Sequence, residues 1–206
     1  MPTPAPRLLA ITPVDLEMDA LAGWLPALAE AVDAVQLRWP GLSARICHER
    51  AQHLAMVHPR PLLLMNGRLD IALAAGLEGV HLHDGGIPPA EVPSHLRPHL
   101  LGVSRHDVQG LARSRGADYC TFSPVRPTAS KPGSKVLGER GLAEGCAVAP
   151  VPVLALGGIE PDDVAWVVRA GAHGVAVLSG ILGADDPLRR AWEYRLALEE
   201  ALPRLE

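Results

Sequence analysis

Short apolar runs recur along the whole chain, and an amphipathic segment follows almost every one of them. Because the runs lack polar alternation, we expect strands buried on both faces, as in a parallel sheet covered by helices. Eight such runs predict strands over residues 8–12, 34–38, 62–66, 79–82, 100–104, 118–122, 151–156 and 174–179.

The segments between the strands predict helices, with N-caps at residues such as Asp15, Ser43 and Asp107. These helices cover residues 17–31, 43–57, 67–75, 107–115, 161–170 and 187–200. At about 26 residues per repeat, the 206 residues fit one compact (β/α)8 barrel, a TIM barrel, as a single domain over 1–206. The connection 123–141 has no periodicity of its own, which is typical of a functional loop.

Composition restricts the class of ligand. The chain has 19 Lys and Arg against 23 Asp and Glu, with no basic run, so we expect neither a nucleic-acid partner nor a membrane partner. The chain has an odd number of cysteines, three, and they lie far apart in the sequence, at Cys47, Cys120 and Cys146. This pattern is typical of reduced thiols in a cytosolic protein. The first residues resemble neither a signal peptide nor a membrane span. We therefore expect a soluble, cytoplasmic protein that acts on a small molecule; a homo-oligomer stays open.

Polar side chains stand where several predicted strands end. Gln36 and Arg38 end the second strand, Asn66 ends the third, and Ser104 and His106 lie at and just beyond the end of the fifth. Because the carboxyl ends of barrel strands open at one mouth, these side chains are expected to converge there as a ligand site.

Glycines follow the last two strands. Gly157 and Gly158 come after the seventh strand, and Ser179 and Gly180 after the eighth, the second pair at a predicted helix N-terminus. Backbone N–H groups exposed in this way bind a phosphate. The alternative is that the glycines only permit tight turns.

Six segments in fixed order resemble the thiamin-phosphate synthase and TenI superfamily over residues 7–195. They read AVQLR, MNGRLDIALAAGLEGVHL, LGVSRH, GADYCTFSPVRPTASKPG, PVLALGGI and AGAHGVAVLSGI. The resemblance implies a (β/α)8 barrel that binds a thiazole phosphate. Its synthase branch joins a pyrimidine methyl pyrophosphate to a thiazole phosphate, with magnesium holding the pyrophosphate. Its TenI branch tautomerises a thiazole carboxylate phosphate.

Three departures from the synthase pattern favour the TenI branch. Pro40 stands at the lysine of the Gln-Leu-Arg-x-Lys motif, and Gly67 and Gly86 stand where the pattern places two magnesium aspartates. Magnesium held by one or two carboxylates loses its protein ligands here. The resemblance thus implies no metal and no other cofactor, and Trp39 is expected to fill the space of the missing lysine.

The stretch GVHLHDGGIP places His81, His83 and Asp84 within four positions. A zinc site needs three or four ligands, and no further cluster accompanies these except His106. A metal here is one alternative; the favoured interpretation is a lost metal site, with Asp84 as a turn residue before Gly85.

Proton transfer needs a group with a pKa near neutrality. Where the tautomerase pattern has Phe-Gly-His, this chain has Phe122-Ser123-Pro124, so the usual proton carrier is absent. His106 and His83 are therefore the catalytic candidates. The residues expected to bind the carboxylate and the ring are Gln36, Arg38, Asn66 and Ser104.

Thr128, Ser130 and Lys131 match the mobile anion-handling loop of the superfamily, although a Pro- and Gly-rich loop with an exposed lysine is the alternative. The main functional hypothesis is a thiazole tautomerase of the TenI type. The alternatives are a thiamin-phosphate synthase with a degenerate metal site and a non-catalytic protein that binds or senses a thiazole phosphate.

Overall fold

Eight parallel strands close into a barrel in the order in which they occur along the chain. The computed structural model describes residues 3–128 and 133–202. The first and last strands pair in parallel, with Leu8 opposite Val175, which closes the barrel and confirms the (β/α)8 prediction. The strands are β1 Leu8–Ile11, β2 Ala34–Leu37, β3 Leu62–Asn66, β4 Gly79–Leu82, β5 Leu100–Arg105, β6 Tyr119–Phe122, β7 Val153–Leu156 and β8 Gly174–Val177.

Helices cover the outer face of the barrel. They are α1 Met18–Ala31, α2 Ala44–Ala55, α3 Leu69–Ala74, α4 Val108–Ala112, α5 Gly138–Val148, α6 Val164–Arg169 and α7 Pro187–Ala201. The proline-rich connection between β4 and β5 forms only the short 3-10 turns Pro89–Glu91 and Ser94–Leu96, because proline disfavours a longer helix. No helix in residues 3–128 and 133–202 is long and apolar enough to cross a membrane.

Two of the three predicted N-caps form. The Ser43 side chain accepts a hydrogen bond from Ile46 N at 3.3 Å, and that of Asp107 accepts one from Gly110 N at 2.6 Å. Asp15 does not cap α1, because the helix begins later and Glu17 takes the N-cap position without a side-chain hydrogen bond.

The periodicity of 123–141 predicts no helix, yet α5 begins at Gly138, so the connection is shorter than expected. Glycines at 138, 141 and 145 lower the helix propensity of this segment. Gly145 also has a packing reason: a β-carbon there would lie 2.4 Å from Cε1 of Phe122. The glycine lets α5 approach β6 closely, and this packing stabilises a helix that its own sequence favours weakly.

The core has two layers. Apolar residues between the strands and the helices form the outer layer, and a smaller cluster that includes Leu9, Leu64 and Leu154 fills the inside of the barrel. Polar residues complete the inside: His81 Nδ1 lies 3.0 Å from the Tyr119 hydroxyl, and its Nε2 lies 3.0 Å from Ser104 Oγ. Burial lowers the pKa of His81 to about 3, so this imidazole is neutral.

Candidate ligand site at the barrel mouth

A cavity of about 300 Å³ opens at the carboxyl ends of the strands. Its walls include every predicted site residue in the described part of the chain: Gln36, Arg38, Asn66, His83, Ser104, His106, Thr128, Gly157, Gly158, Ser179 and Gly180. Ser130 and Lys131 lie outside the described residues. The convergence follows from the barrel, which brings the ends of distant strands to one opening.

One wall of the cavity carries amide and guanidinium donors. The buried Gln36 Nε2 has no hydrogen-bond partner among the residues that the structure describes. A buried amide left in this state costs about 1–3 kcal/mol, so an acceptor on a bound ligand or a water would stabilise it. Arg38 is fixed at its backbone, because Arg38 N donates to Thr12 Oγ1 at 2.8 Å. Thr12 is fully buried, and no sequence motif predicts that it fixes the backbone of Arg38.

His106 lies on the opposite wall, where β5 meets β6. Its Nδ1 is 3.0 Å from the carbonyl oxygen of Ser123 and 3.1 Å from Ser123 Oγ. A carbonyl oxygen only accepts hydrogen bonds, so the tautomer with the proton on Nδ1 satisfies the contact with the Ser123 carbonyl and leaves Nε2 as the proton-accepting nitrogen. Ser123 thus orients the imidazole. In the sequence, Ser123 is notable only because it stands at the glycine of the Phe-Gly-His pattern.

The three candidate metal ligands His81, His83 and Asp84, at the end of β4 and just beyond it, do not converge. His81 points into the barrel interior toward Tyr119, whereas His83 lines the mouth. Asp84 forms an ion pair of 2.7 Å with Arg105. The metal alternative for this stretch therefore has no ligand set.

His83 lies directly over Gly67. A β-carbon added at Gly67 would be 2.1 Å from His83 Nε2, and Gly67 itself has a φ of +71°. In the part of the chain that the structure describes, no three His, Cys, Asp or Glu side chains form a metal cluster. Glycine at 86 contributes no side chain either. The residues present do not fit the magnesium site that the synthase pattern implies.

Trp39 does not fill the space of the missing lysine as expected. Its side chain is buried in the outer layer of the core, and the Arg50 guanidinium lies 5.8 Å from the ring centroid. Trp39 lies two residues beyond the end of β2, and its side chain joins the same outer cluster as that of Leu37, whereas Arg38 lines the cavity.

The glycines after β7 adopt backbone conformations that other residues rarely take. Gly157 has φ +105° and Gly158 has φ +65°. A β-carbon at Gly158 would also lie 2.4 Å from the Pro127 carbonyl oxygen. The turn therefore requires glycine, and the same bare backbone faces the cavity, so the two interpretations of these glycines are compatible.

The predicted helix N-terminus at Ser179 and Gly180 is wrong. Residues 180–183 form turns, and the next helix, α7, begins only at Pro187. Asp186 caps it, with its side chain accepting from Arg189 N at 3.0 Å, and this start agrees with the helix predicted over 187–200. Any anion at Ser179 and Gly180 would bind turn N–H groups without a helix dipole.

The closed barrel defines the chain as a TIM-barrel protein, with a polar cavity at the C-terminal mouth, where proteins of this fold bind small molecules. Residues 8–181 match the family described as thiamine monophosphate synthase, TMP-TENI. The chain belongs to this family.

Relatives and a solved structure agree with the family. The putative thiamine-phosphate synthase of Geobacter sulfurreducens is 42% identical over 179 residues, which cover 84% of each chain. The thiamine-phosphate synthase of Salinibacter ruber is 36% identical and covers 95% of this chain and 90% of its own. The structure of thiamine phosphate pyrophosphorylase from Pyrococcus furiosus is 28% identical, with a TM-score of 0.81 over 95% of this chain and 96% of that chain.

The family predicted from the sequence is thereby confirmed. The names of these relatives match the synthase alternative better than the TenI branch. The choice of the TenI branch stays a prediction.

Proposed function

We propose that the mouth binds a thiazole phosphate and that the protein catalyses a metal-independent proton transfer on it, the tautomerisation of a thiazole carboxylate phosphate. The observation that carries this proposal is the position of His83 over Gly67, where the synthase pattern expects a magnesium carboxylate. A reaction that moves only a proton needs no metal to hold a departing pyrophosphate.

The phosphate binds between the turns after β7 and β8. Gly157 and Gly158 after β7 and Ser179 and Gly180 after β8 line the same cavity. Their backbone N–H groups are the proposed donors to the phosphate. Successive backbone donors of this kind bind anions without a charged side chain. Thr128 lies on the same cavity wall and adds a hydroxyl group.

The ring and its carboxylate bind on the side of β2, β3 and β5. Arg38 supplies a cation, and the amides of Gln36 and Asn66 supply donors, with Gln36 Nε2 lacking a partner among the described residues. The guanidinium of arginine matches the two oxygens of a carboxylate. The carboxylate is thereby held on the wall opposite His106.

His106 moves the proton. Its Nε2 accepts the proton from the ring carbon, and the resulting imidazolium delivers a proton to the side-chain carbon, so no proton is gained or lost overall. Ser123 holds Nδ1 at 3.0 Å through its carbonyl oxygen, which favours this orientation and stabilises the imidazolium.

A second candidate is thiamin-phosphate synthesis, and the names of relatives that are 36–42% identical favour it. That reaction displaces pyrophosphate, which needs charge neutralisation by magnesium or by cationic side chains. Glycines at 67 and 86 and Pro40 leave the mouth without the residues that the synthase pattern uses for this purpose.

One set of assays distinguishes the candidates. The purified protein is incubated with the thiazole carboxylate phosphate tautomer, and separately with the pyrimidine methyl pyrophosphate, a thiazole phosphate and Mg²⁺. Formation of the aromatic tautomer supports the proposal, and formation of thiamin phosphate supports the second candidate. Tight binding of the thiazole phosphate without turnover in either assay identifies a binding protein.

A further inference from the structure

Helix α7 contacts the turns after β7 and β8, which are called the phosphate turns below. Arg190 Nε donates to the Gly180 carbonyl oxygen at 3.1 Å, and the same guanidinium forms an ion pair with Glu160 in the turn after β7. One helical turn later, the Tyr194 hydroxyl donates to the Ile159 carbonyl oxygen at 2.7 Å. A single helix face therefore contacts the turn after β7 and the turn after β8.

Tyr194 also packs against the second turn. A β-carbon at Gly180 would lie 2.7 Å from the Tyr194 hydroxyl oxygen, so glycine permits this close approach. Burial raises the pKa of Tyr194, which keeps the hydroxyl protonated as a donor. Arg190 stacks on the same ring at 5.3 Å from its centroid, so the two side chains hold each other in place.

The turn after β6 joins the same network. Arg126 forms an ion pair with Asp163, whose carboxylate also accepts from the Glu160 backbone N at 2.9 Å and from Trp166 Nε1 at 3.0 Å. Arg126 N donates to the Gly157 carbonyl oxygen at 2.9 Å. Two ion pairs and several hydrogen bonds to backbone groups thus connect α7 with the three turns that surround the proposed phosphate position.

The charge of Arg190 is already matched. Glu160 and Glu193 both pair with its guanidinium, and Arg190 lies behind the turns instead of in the cavity wall. A direct contact between this guanidinium and a bound phosphate would require the turns to open. Its geometry is that of a support for neutral backbone donors.

We infer that Arg190 and Tyr194 are positioning residues that fix the two phosphate turns relative to each other and so set the affinity for the phosphate group. The inference rests on the proposed phosphate binding, although it does not depend on the identity of the ring. Preorganised donors bind an anion more tightly than mobile ones because less ordering is needed on binding.

The test compares Arg190→Lys and Tyr194→Phe with the wild type and with Arg189→Lys. Arg189 lies on the same helix, its side chain is 69% exposed, and its carboxylate contact with Glu193 is 3.6 Å, so it is a matched control. Calorimetry measures affinities for hydroxyethylthiazole phosphate, for the corresponding alcohol and for inorganic phosphate. Thermal unfolding is measured for each variant.

We expect both variants to lose about tenfold in affinity for the two phosphate ligands, while the alcohol binds as in the wild type. A purely structural role would lower the thermal midpoint and weaken the phosphate and the alcohol equally, which would overturn the inference. Phosphate affinities equal to those of the control would overturn it too.

Failure of the proposed function gives a different pattern. A wild type that binds inorganic phosphate but neither thiazole ligand contradicts the ring assignment, and the variants then test the inference with inorganic phosphate alone. A wild type that binds no phosphate at all contradicts both.

Discussion

The imidazole of His83 lies against the α-carbon of Gly67, so closely that a β-carbon at Gly67 would be 2.1 Å from Nε2. Two features that look separate in the sequence, a missing aspartate and an added histidine, thus share one space at the mouth. A carboxylate at position 67 cannot enter unless His83 moves.

Thiamin-phosphate synthesis with Mg²⁺ should be negligible in the wild type, because glycines at 67 and 86 leave the departing pyrophosphate without a bound cation. Gly67→Asp with Gly86→Asp should restore little Mg²⁺ binding, since His83 competes for the same space. Adding His83→Gly should give saturable Mg²⁺ binding by calorimetry. Enzyme-like synthase rates in the wild type would contradict this prediction.

His106→Ala should lower the tautomerase rate by at least about 100-fold, because the group that accepts the ring proton is removed. Affinity for the thiazole phosphate should change little. His53→Ala is the control, since His53 is exposed on α2, outside the cavity. If the wild type is active and the His106 variant keeps its rate, His83 becomes the candidate for the proton-transfer group, and the rate of His83→Ala tests it.

Gly158→Ala should weaken phosphate binding and lower the free energy of unfolding by about 1–3 kcal/mol, because of the positive φ and the nearby Pro127 carbonyl oxygen. The control is Gly23→Ala in α1, where the added carbon meets nothing within 4 Å. That substitution should raise the free energy of unfolding by about 0.5–1 kcal/mol. Equal effects of the two substitutions in denaturant titrations would count against the strained turn.

Acid should destabilise the barrel partly through Glu78. Burial raises its pKa, but the hydrogen bonds from Arg60 and from Leu63 N outweigh this, so the folded-state pKa lies below the ordinary 4.5. Because the pKa is lower in the folded state, ionised Glu78 stabilises the fold at any pH above its unfolded-state pKa. This contribution is lost as the pH falls from about 4.5 through the folded-state pKa.

The test is the free energy of unfolding between pH 3 and pH 7, roughly the range over which carboxylates titrate. Glu78→Gln should be less stable at neutral pH by about 3 kcal/mol, because the buried Arg60 loses its partner. The difference in free energy of unfolding between the wild type and Glu78→Gln should become smaller as the pH falls. A gap that is constant with pH would exclude Glu78 as a titrating contributor.

Strand order and the convergence of the mouth residues are predictable from the sequence, because buried parallel strands leave long apolar runs and a barrel brings their ends together. Contacts across strands are not. His106 meets Ser123 because Arg105 pairs with Phe122 in the ladder, and no local pattern encodes that register. The positions of His81 and His83 are also beyond the sequence pattern. Their spacing of two predicts that both side chains point to the same face of the strand, but it does not predict that one lies inside the barrel and the other at the mouth.

Local signals were also outweighed by packing. Helix α5 forms despite its glycines, since Gly145 fits against Phe122. At Ser179 and Gly180 the predicted helix N-terminus does not form, whereas the helix predicted over 187–200 does begin at Pro187.

The hydrogen-bonded pair His81 and Tyr119, together with the apolar cluster around Leu9, Leu64 and Leu154, fills the interior of the barrel below the cavity. The cavity therefore has a floor, and a ligand bound there would enter and leave through the same opening. A product that keeps the phosphate of its substrate must depart before the next substrate can arrive. Competitive inhibition by product is the kinetic signature expected of the proposed one-substrate reaction.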